Sequence, residues 1–257
     1  MIYFTGDTHG GIDMQKLANK NLRNTCGLPG EDDYLIILGD FGLPFFDDDR
    51  KKKKKKKKKN SGEYNADYDK WINFLKKKPF TVLWIDGNHD NHTFWKRQPI
   101  TKMFGGRVHV HPDAKNVIHL IRGEIYAIDG KRIFAFGGAA SHDREYRTEG
   151  LNWWAAETAQ PDEIARAYHN LATCSNQVDY ILTHTPPDSI MRQLLHNANS
   201  MERCVPDRTA FFLDTILKTV RYRAWFCGHL HMDTFIPEYL LAVMFQTVMN
   251  ERQLGLL

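Results

Sequence analysis

The chain has 257 residues, of which 42% are hydrophobic and 12% aromatic, with a formal charge of +4. That length and apolar content suit a single α/β domain with a sizeable core. The positive charge misleads: nine consecutive lysines occupy 51–59, and without them Lys+Arg falls from 35 to 26 against 31 Asp+Glu, leaving a body at −5. A basic nucleic-acid face therefore does not follow from the pI. The longest apolar stretch, 239–245, is too short to span a bilayer, so no membrane association is expected. Cys26, Cys174, Cys204 and Cys227 show no Cys-x-x-Cys spacing, which argues against a zinc knuckle or redox pair and for reduced thiols in the cytoplasm.

In chain order, an apolar run at 1–5 predicts a strand that delivers Gly6-Asp7-Thr8-His9-Gly10. Because that strand starts at the first residue, no removable leader is expected ahead of it. Residues 10–26 carry Ile12, Leu17 and Leu22 in polar sequence and predict a helix, followed by a strand at 34–38 that ends at Gly39-Asp40-Phe41-Gly42. The lysine run with its Asp47-Asp48-Asp49 prefix buries nothing and repels itself, so 47–62 is expected to be a disordered insertion. A helix over 66–78 spaces Tyr68, Trp71, Ile72, Phe74 and Leu75 on one face and closes on three lysines that complement its dipole. The strand at 80–85 leads into Gly87-Asn88-His89-Asp90. Short strands are predicted at 107–111, 117–121, 124–128 and 132–137, with Asp129-Gly130 as a hairpin turn. A helix at 161–174 precedes a strand at 178–182 that ends in Leu182-Thr183-His184-Thr185-Pro186. A last helix at 207–220 precedes a strand at 223–227 that ends in Gly228-His229-Leu230-His231.

Five strands thus end in residues that bind metal ions, which puts the ligands at one edge of a sheet. Asp7, His9, Asp40, Asn88, His184, His229 and His231 form a mixed oxygen and nitrogen set suited to two divalent cations. An isolated Asp-x-His would mean nothing, but all five motifs in order make coincidence implausible. His92, His109, His111, His119, His142, His169 and His196 read individually as core or capping residues.

The ordered set resembles the calcineurin-like metallophosphoesterase superfamily from Gly6 to His231. The resemblance implies a four-layer α/β/β/α sandwich of two mixed sheets flanked by helices, in one domain over 1–257, with the metal site at the strand C-terminal ends. It implies that Asp7, His9 and His231 hold one metal, that Asn88, His184 and His229 hold the other, and that Asp40 bridges them. Two ions about 3.5–4 Å apart would acidify a water between them and clamp the phosphate oxygens. Mn²⁺ is the expected ion, with Fe, Zn and Ni as alternatives. His89 would face the scissile phosphate and protonate the leaving group, the alternative being an orienting role.

Phosphoprotein phosphatases continue their second motif as Gly-Asp-x-x-Asp-Arg-Gly, whereas this chain reads Gly39-Asp40-Phe41-Gly42-Leu43-Pro44-Phe45. The expected activity is therefore hydrolysis of phosphodiester or nucleotide-type substrates, small or nucleic acid. The alternatives are a phosphomonoesterase or protein phosphatase, and a catalytically silent scaffold, which the complete ligand set disfavours. The run from Gly137 to Arg147, with Trp153 and Trp154 beyond it, resembles a loop of small bacterial and phage metallophosphoesterases. His142, Arg144 and Arg147 are its candidate phosphate contacts and the tryptophans its candidate base-stacking surface, the alternative being a solvated loop pinned by a Trp pair.

Deleting 51–59 is expected to leave the thermal midpoint and small-substrate turnover intact. If the run recruits polyanions, deletion raises KM for nucleic acid alone and added salt mimics it. A fall in the thermal midpoint would instead make the segment part of the fold.

Overall fold

The computed structural model describes residues 1–46 and 68–257. The lysine run, the insertion expected over 47–62 and the first two residues of the helix expected over 66–78 lie outside the described residues. In chain order the strands are β1 (Ile2–Thr5), β2 (Tyr34–Ile37), β3 (Thr81–Trp84), β4 (Thr101–Met103), β5 (Gly106–His111), β6 (Ala114–Leu120), β7 (Glu124–Ile128), β8 (Lys131–Phe136), β9 (Tyr180–Thr183), β10 (Ala224–Cys227), β11 (Thr234–Ile236), β12 (Leu241–Val243) and β13 (Val248–Asn250). One sheet runs β13-β1-β2-β3-β6-β5-β4 and the other β11-β12-β10-β9-β8-β7.

Each sheet is parallel at its centre and antiparallel at its margins. In the first, Thr5 aligns with Ile37 and Ile37 with Trp84, so three parallel strands end level before Asp7, Asp40 and Asn88. Alternation along each strand sorts side chains between one core shared by the two sheets and an outer core under each helix layer. Ile2, Phe4, Ile36 and Leu38 face the other sheet and meet Tyr180, Leu182 and Phe226 there. Phe4 and Phe226 stack across the gap with ring centroids 3.9 Å apart. Tyr3, Leu35 and Ile37 face outward under α1 (Asn19–Thr25), α2 (Tyr68–Lys76) and the short α3 (His92–Lys96). Phe134, Phe136, Ile181 and Trp225 do the same under α4 (Pro161–Thr173), α5 (Asp188–Asn197) and α6 (Arg208–Thr219). The result is the four-layer α/β/β/α sandwich.

Local chemistry sets the boundaries. At the start of α4, Pro161 opens the helix and Glu163 reaches back to the Gln160 N–H at 2.9 Å. Asp129 and Gly130 adopt φ of 49° and 72°, the paired left-handed conformation of a tight hairpin turn. The single helix predicted over 10–26 is wrong: two 3-10 turns, His9–Gly11 and Met14–Leu17, precede α1. Gly10 and Gly11 sit at φ of 61° and 134°, and Ala18 is extended. The break turns Lys16 inward, where its ammonium donates to the carbonyls of Gly6, Asp7 and Phe245.

The sheets are also tied by a buried ion cluster. Asp86, just past β3, accepts from Arg122 through Nε at 2.7 Å and also through Nη2. The same guanidinium donates to Glu163 at 3.0 Å, to the Thr158 carbonyl at 3.1 Å and to the Glu157 carbonyl at 2.9 Å. Burial alone would raise the Asp86 carboxyl, but Arg122 outweighs it and holds it well below the usual carboxylate range. Replacing Arg122→Met would leave the buried Asp86 with only the His119 and His92 rings beside it and no guanidinium to balance its charge. The variant is expected to lose about 3–5 kcal/mol in urea unfolding; a loss below about 1 kcal/mol, the scale of an exposed pair, would show that the pair is not structural.

Candidate metal centre

Asp7 and Asp40 follow β1 and β2 and are fully buried. Asp7 Oδ2 and Asp40 Oδ2 lack a hydrogen bond of good geometry, and His231 Nε2 and His9 Nε2 lie 3.1 and 3.4 Å from them. Buried anionic oxygens without donors are costly unless positive charge compensates them. One ligand atom from each of Asp7, His9, Asp40 and His231 lies within 4.8 Å of the others. This donor set fits a divalent cation.

The remaining predicted ligands gather on the other side of Asp40. Its Oδ1 lies 3.3 Å from His184 Nε2, which is 3.1 Å from Asn88 Oδ1. The His229 ring lies 5.0 Å from that of His184, and its backbone N–H donates to Asp7 Oδ1 at 3.2 Å. Asp40 therefore turns Oδ2 toward His9 and Oδ1 toward His184.

Neighbouring groups orient the rings. His9 Nδ1 lies 2.7 Å from the Asp13 carboxylate, and His184 Nδ1 donates to the Leu38 carbonyl at 2.7 Å. Both rings therefore turn Nε2 toward the carboxylates, the arrangement that suits metal-ligating imidazoles. Four of the seven predicted ligands are in the left-handed region: His9 at φ 45°, Asp40 at 47°, His229 at 68° and His231 at 53°. Such backbones cost on the order of 1–3 kcal/mol each and collect at functional sites. The glycine of the third motif serves space rather than backbone freedom. Gly87 does not have positive φ, but a Cβ there would overlap the Asp40 carboxylate. At Gly39 a Cβ would strike the His184 ring. Sequence reasoning missed Asp13 and Asp90. Asp13 was legible as the carboxylate four residues after His9. Asp90 accepts from the N–H groups of Gly42 and Gly87 at 2.7 Å each, tying the second motif to the third.

Burial lowers the basicity of His9 and His184, but carboxylates outweigh it. Asp13 and Asp40 raise His9 to about 10, and Asp40 raises His184 to about 9. Burial and the neighbouring His184 push His229 down to about 3. Burial also lowers His89 to about 4, so the ring is neutral at pH 7 and its expected role as proton donor to the leaving group is not favoured. Arg147 Nη1 donates to His89 Nδ1 at 3.3 Å. Because a guanidinium only donates, the proton of the neutral ring sits on Nε2.

The loop candidates divide. Arg147 is clamped by both oxygens of Asp143, at 2.7 and 2.6 Å, and reaches the site through His89. His142 and Arg144 are exposed on the same loop. Trp154 is buried against Phe45 and His92 and so is no base-stacking surface.

A family profile, that of the calcineurin-like phosphoesterases, matches residues 1–233. The chain belongs to the calcineurin-like phosphoesterase family. It is a metal-dependent phosphoester hydrolase. A search of curated proteins finds no match. Twelve chains of solved structures match in fold. One crystal structure is 10% identical over 96% of this chain and 90% of its own, with a TM-score of 0.50. The phosphopantetheinyl hydrolase PptH of Mycobacterium tuberculosis is 15% identical over 98% of this chain and 90% of its own, with a TM-score of 0.43. Among the described residues no helix is long and apolar enough to cross a membrane.

The raised imidazoles set the pH dependence of metal loading. With His9 near 10 and His184 near 9, both rings of the metal-free protein are protonated at neutral pH. Ligation needs them neutral, so loading near pH 7 is expected to release about two protons, and affinity to climb with pH until those rings deprotonate. Calorimetry in buffers of different ionisation enthalpy reads the proton count, and a count of zero contradicts the assignment.

Proposed function

We propose that this phosphoesterase is dinuclear and hydrolyses phosphodiester or nucleotide-type substrates. The observation that carries the dinuclear reading is Asp40, whose two oxygens face separate ligand groups. Asp7, His9 and His231 would hold one ion and Asn88, His184 and His229 the other, with Asp40 shared. Mn²⁺ suits the mixed set of carboxylate, amide and imidazole donors. The bound ions would neutralise phosphate charge and acidify the attacking water.

This chain's own residues supply the rest. His89 directs its Nε2–H to the leaving oxygen as a hydrogen bond, the neutral ring keeping its proton, while Arg147 holds Nδ1 and so fixes the tautomer. The backbone N–H of His89 donates to Asp40 Oδ1 at 2.7 Å, which ties this hydrogen-bond donor to the shared ligand. His142, Arg144 and Arg147 form the phosphate-contacting rim. The absence of Asp-Arg-Gly after Asp40 favours a diester or nucleotide over a phosphoprotein. The four free thiols support a cytoplasmic setting for one domain over 1–257.

Asp40→Asn is expected to abolish turnover of bis-p-nitrophenyl phosphate and to empty at least one metal position by elemental analysis. Full metal content with normal activity overturns the reading. His89→Ala is expected to keep its metal yet lose about 10²–10⁴-fold in kcat. That loss should shrink for p-nitrophenolate leaving groups, and an equal loss for good and poor leaving groups makes His89 an orienting residue.

A further inference from the structure

We propose that Ser141 and Glu157 act as positioning residues that fix which atom of the Asn88 amide faces the metal. The proposal rests on Asn88 as a ligand in the two-metal reading above. An Asn side chain presents an oxygen and an NH₂ group of nearly equal size, and only the oxygen can ligate. Nothing in the amide itself chooses between the two orientations, so its neighbours must.

Here the neighbours choose. Asn88 Nδ2 donates to Ser141 Oγ at 3.2 Å, which leaves Oδ1 facing His184 Nε2 at 3.1 Å. Ser141 could in principle donate its own hydroxyl proton to Asn88 and favour the opposite orientation. Glu157 removes that option: its Oε2 accepts a hydrogen bond from the Ser141 hydroxyl at 2.7 Å, and its Oε1 accepts one from the Ser141 backbone N–H at 2.8 Å. A carboxylate only accepts, so the polarity of the chain runs from amide to hydroxyl to carboxylate. Asn88, Ser141 and Glu157 are 4%, 3% and 2% exposed, so bulk water does not compete for these bonds.

The surroundings hold this relay in place. Gly138, at φ 91°, lies where a Cβ would overlap the Glu157 carbonyl and the Arg122 guanidinium, so only glycine lets the loop come this close. The Ala140 N–H donates to Asp207 at 3.0 Å, just before α6, and Arg122 holds the Glu157 carbonyl at 2.9 Å. The Gly137-Gly138-Ala139-Ala140-Ser141 segment thereby carries a hydroxyl from the second sheet to a ligand on the first.

The test is Mn²⁺ titration by calorimetry, with electron paramagnetic resonance to distinguish single from paired ions. In Ser141→Ala, one ion is expected at wild-type affinity and the other weakened by about 10–100-fold. Unchanged affinity for both ions overturns the proposal. Asn88→Asp separates positioning from general damage, because a carboxylate has no wrong orientation. In that background Ser141→Ala should add no further loss, and a loss equal to that seen with Asn88 overturns the proposal. If Ser141→Ala does not fold, Glu157→Gln reads the same affinities, since it turns one acceptor into a donor. Wild-type protein that binds a single ion overturns the two-metal reading itself, and Ser141→Ala must then weaken that ion for the proposal to stand.

Discussion

Two carboxylates buried side by side govern this structure. Asp7 and Asp40 are fully shielded from water, and each has an oxygen without a well-formed hydrogen bond. Burial pushes both pKa values up, and Asp40 adds repulsion at Asp7, yet both carboxyls lie below the usual range because imidazoles surround them. Without metal, protons on His9 and His184 supply the compensating charge. Bound metal would supply it instead, and the protons would leave. The site is thus a place where positive charge is required whatever its source.

That demand explains why two sheets are needed. Asp7, His9, Asp40 and Asn88 come from the first sheet, and His184, His229 and His231 from the second. Neither sheet alone could compensate the buried anions. The Phe4–Phe226 stack and the Asp86–Arg122 cluster fix the separation and slide of the sheets. Four candidate ligands on left-handed backbone store strain that this docking must overcome. The ligand loops interlock sterically as well, since the His184 ring occupies the space a Gly39 side chain would need.

Much of the fold was legible because the sequence patterns are strong. Apolar runs of four to six residues before each motif placed β1, β2, β3, β9 and β10 nearly where they occur. Helices α4 and α6 emerged from their first-turn and periodic residues. The segment 10–26 misled because its apolar spacing is helical while Gly10, Gly11 and Ala18 bend the backbone. The three-residue strands β4, β11, β12 and β13 carry too few residues for a period to register. The bonds from Gly42 to Asp90 and from Ser141 to Glu157 were invisible because folding alone brings those residues together.

By itself the sequence determined which residues can ligate metal, their order, and their common emergence at the strand ends. Those properties reside in residue type and in local periodicity, which need no knowledge of distant contacts. Tertiary structure alone decided which oxygen of Asp40 faces which imidazole, which nitrogen of His89 carries the proton, and which loop tryptophan is core. These depend on groups from separate sheets meeting in a dry interior, where one neighbouring donor or acceptor fixes an orientation that the chain leaves open.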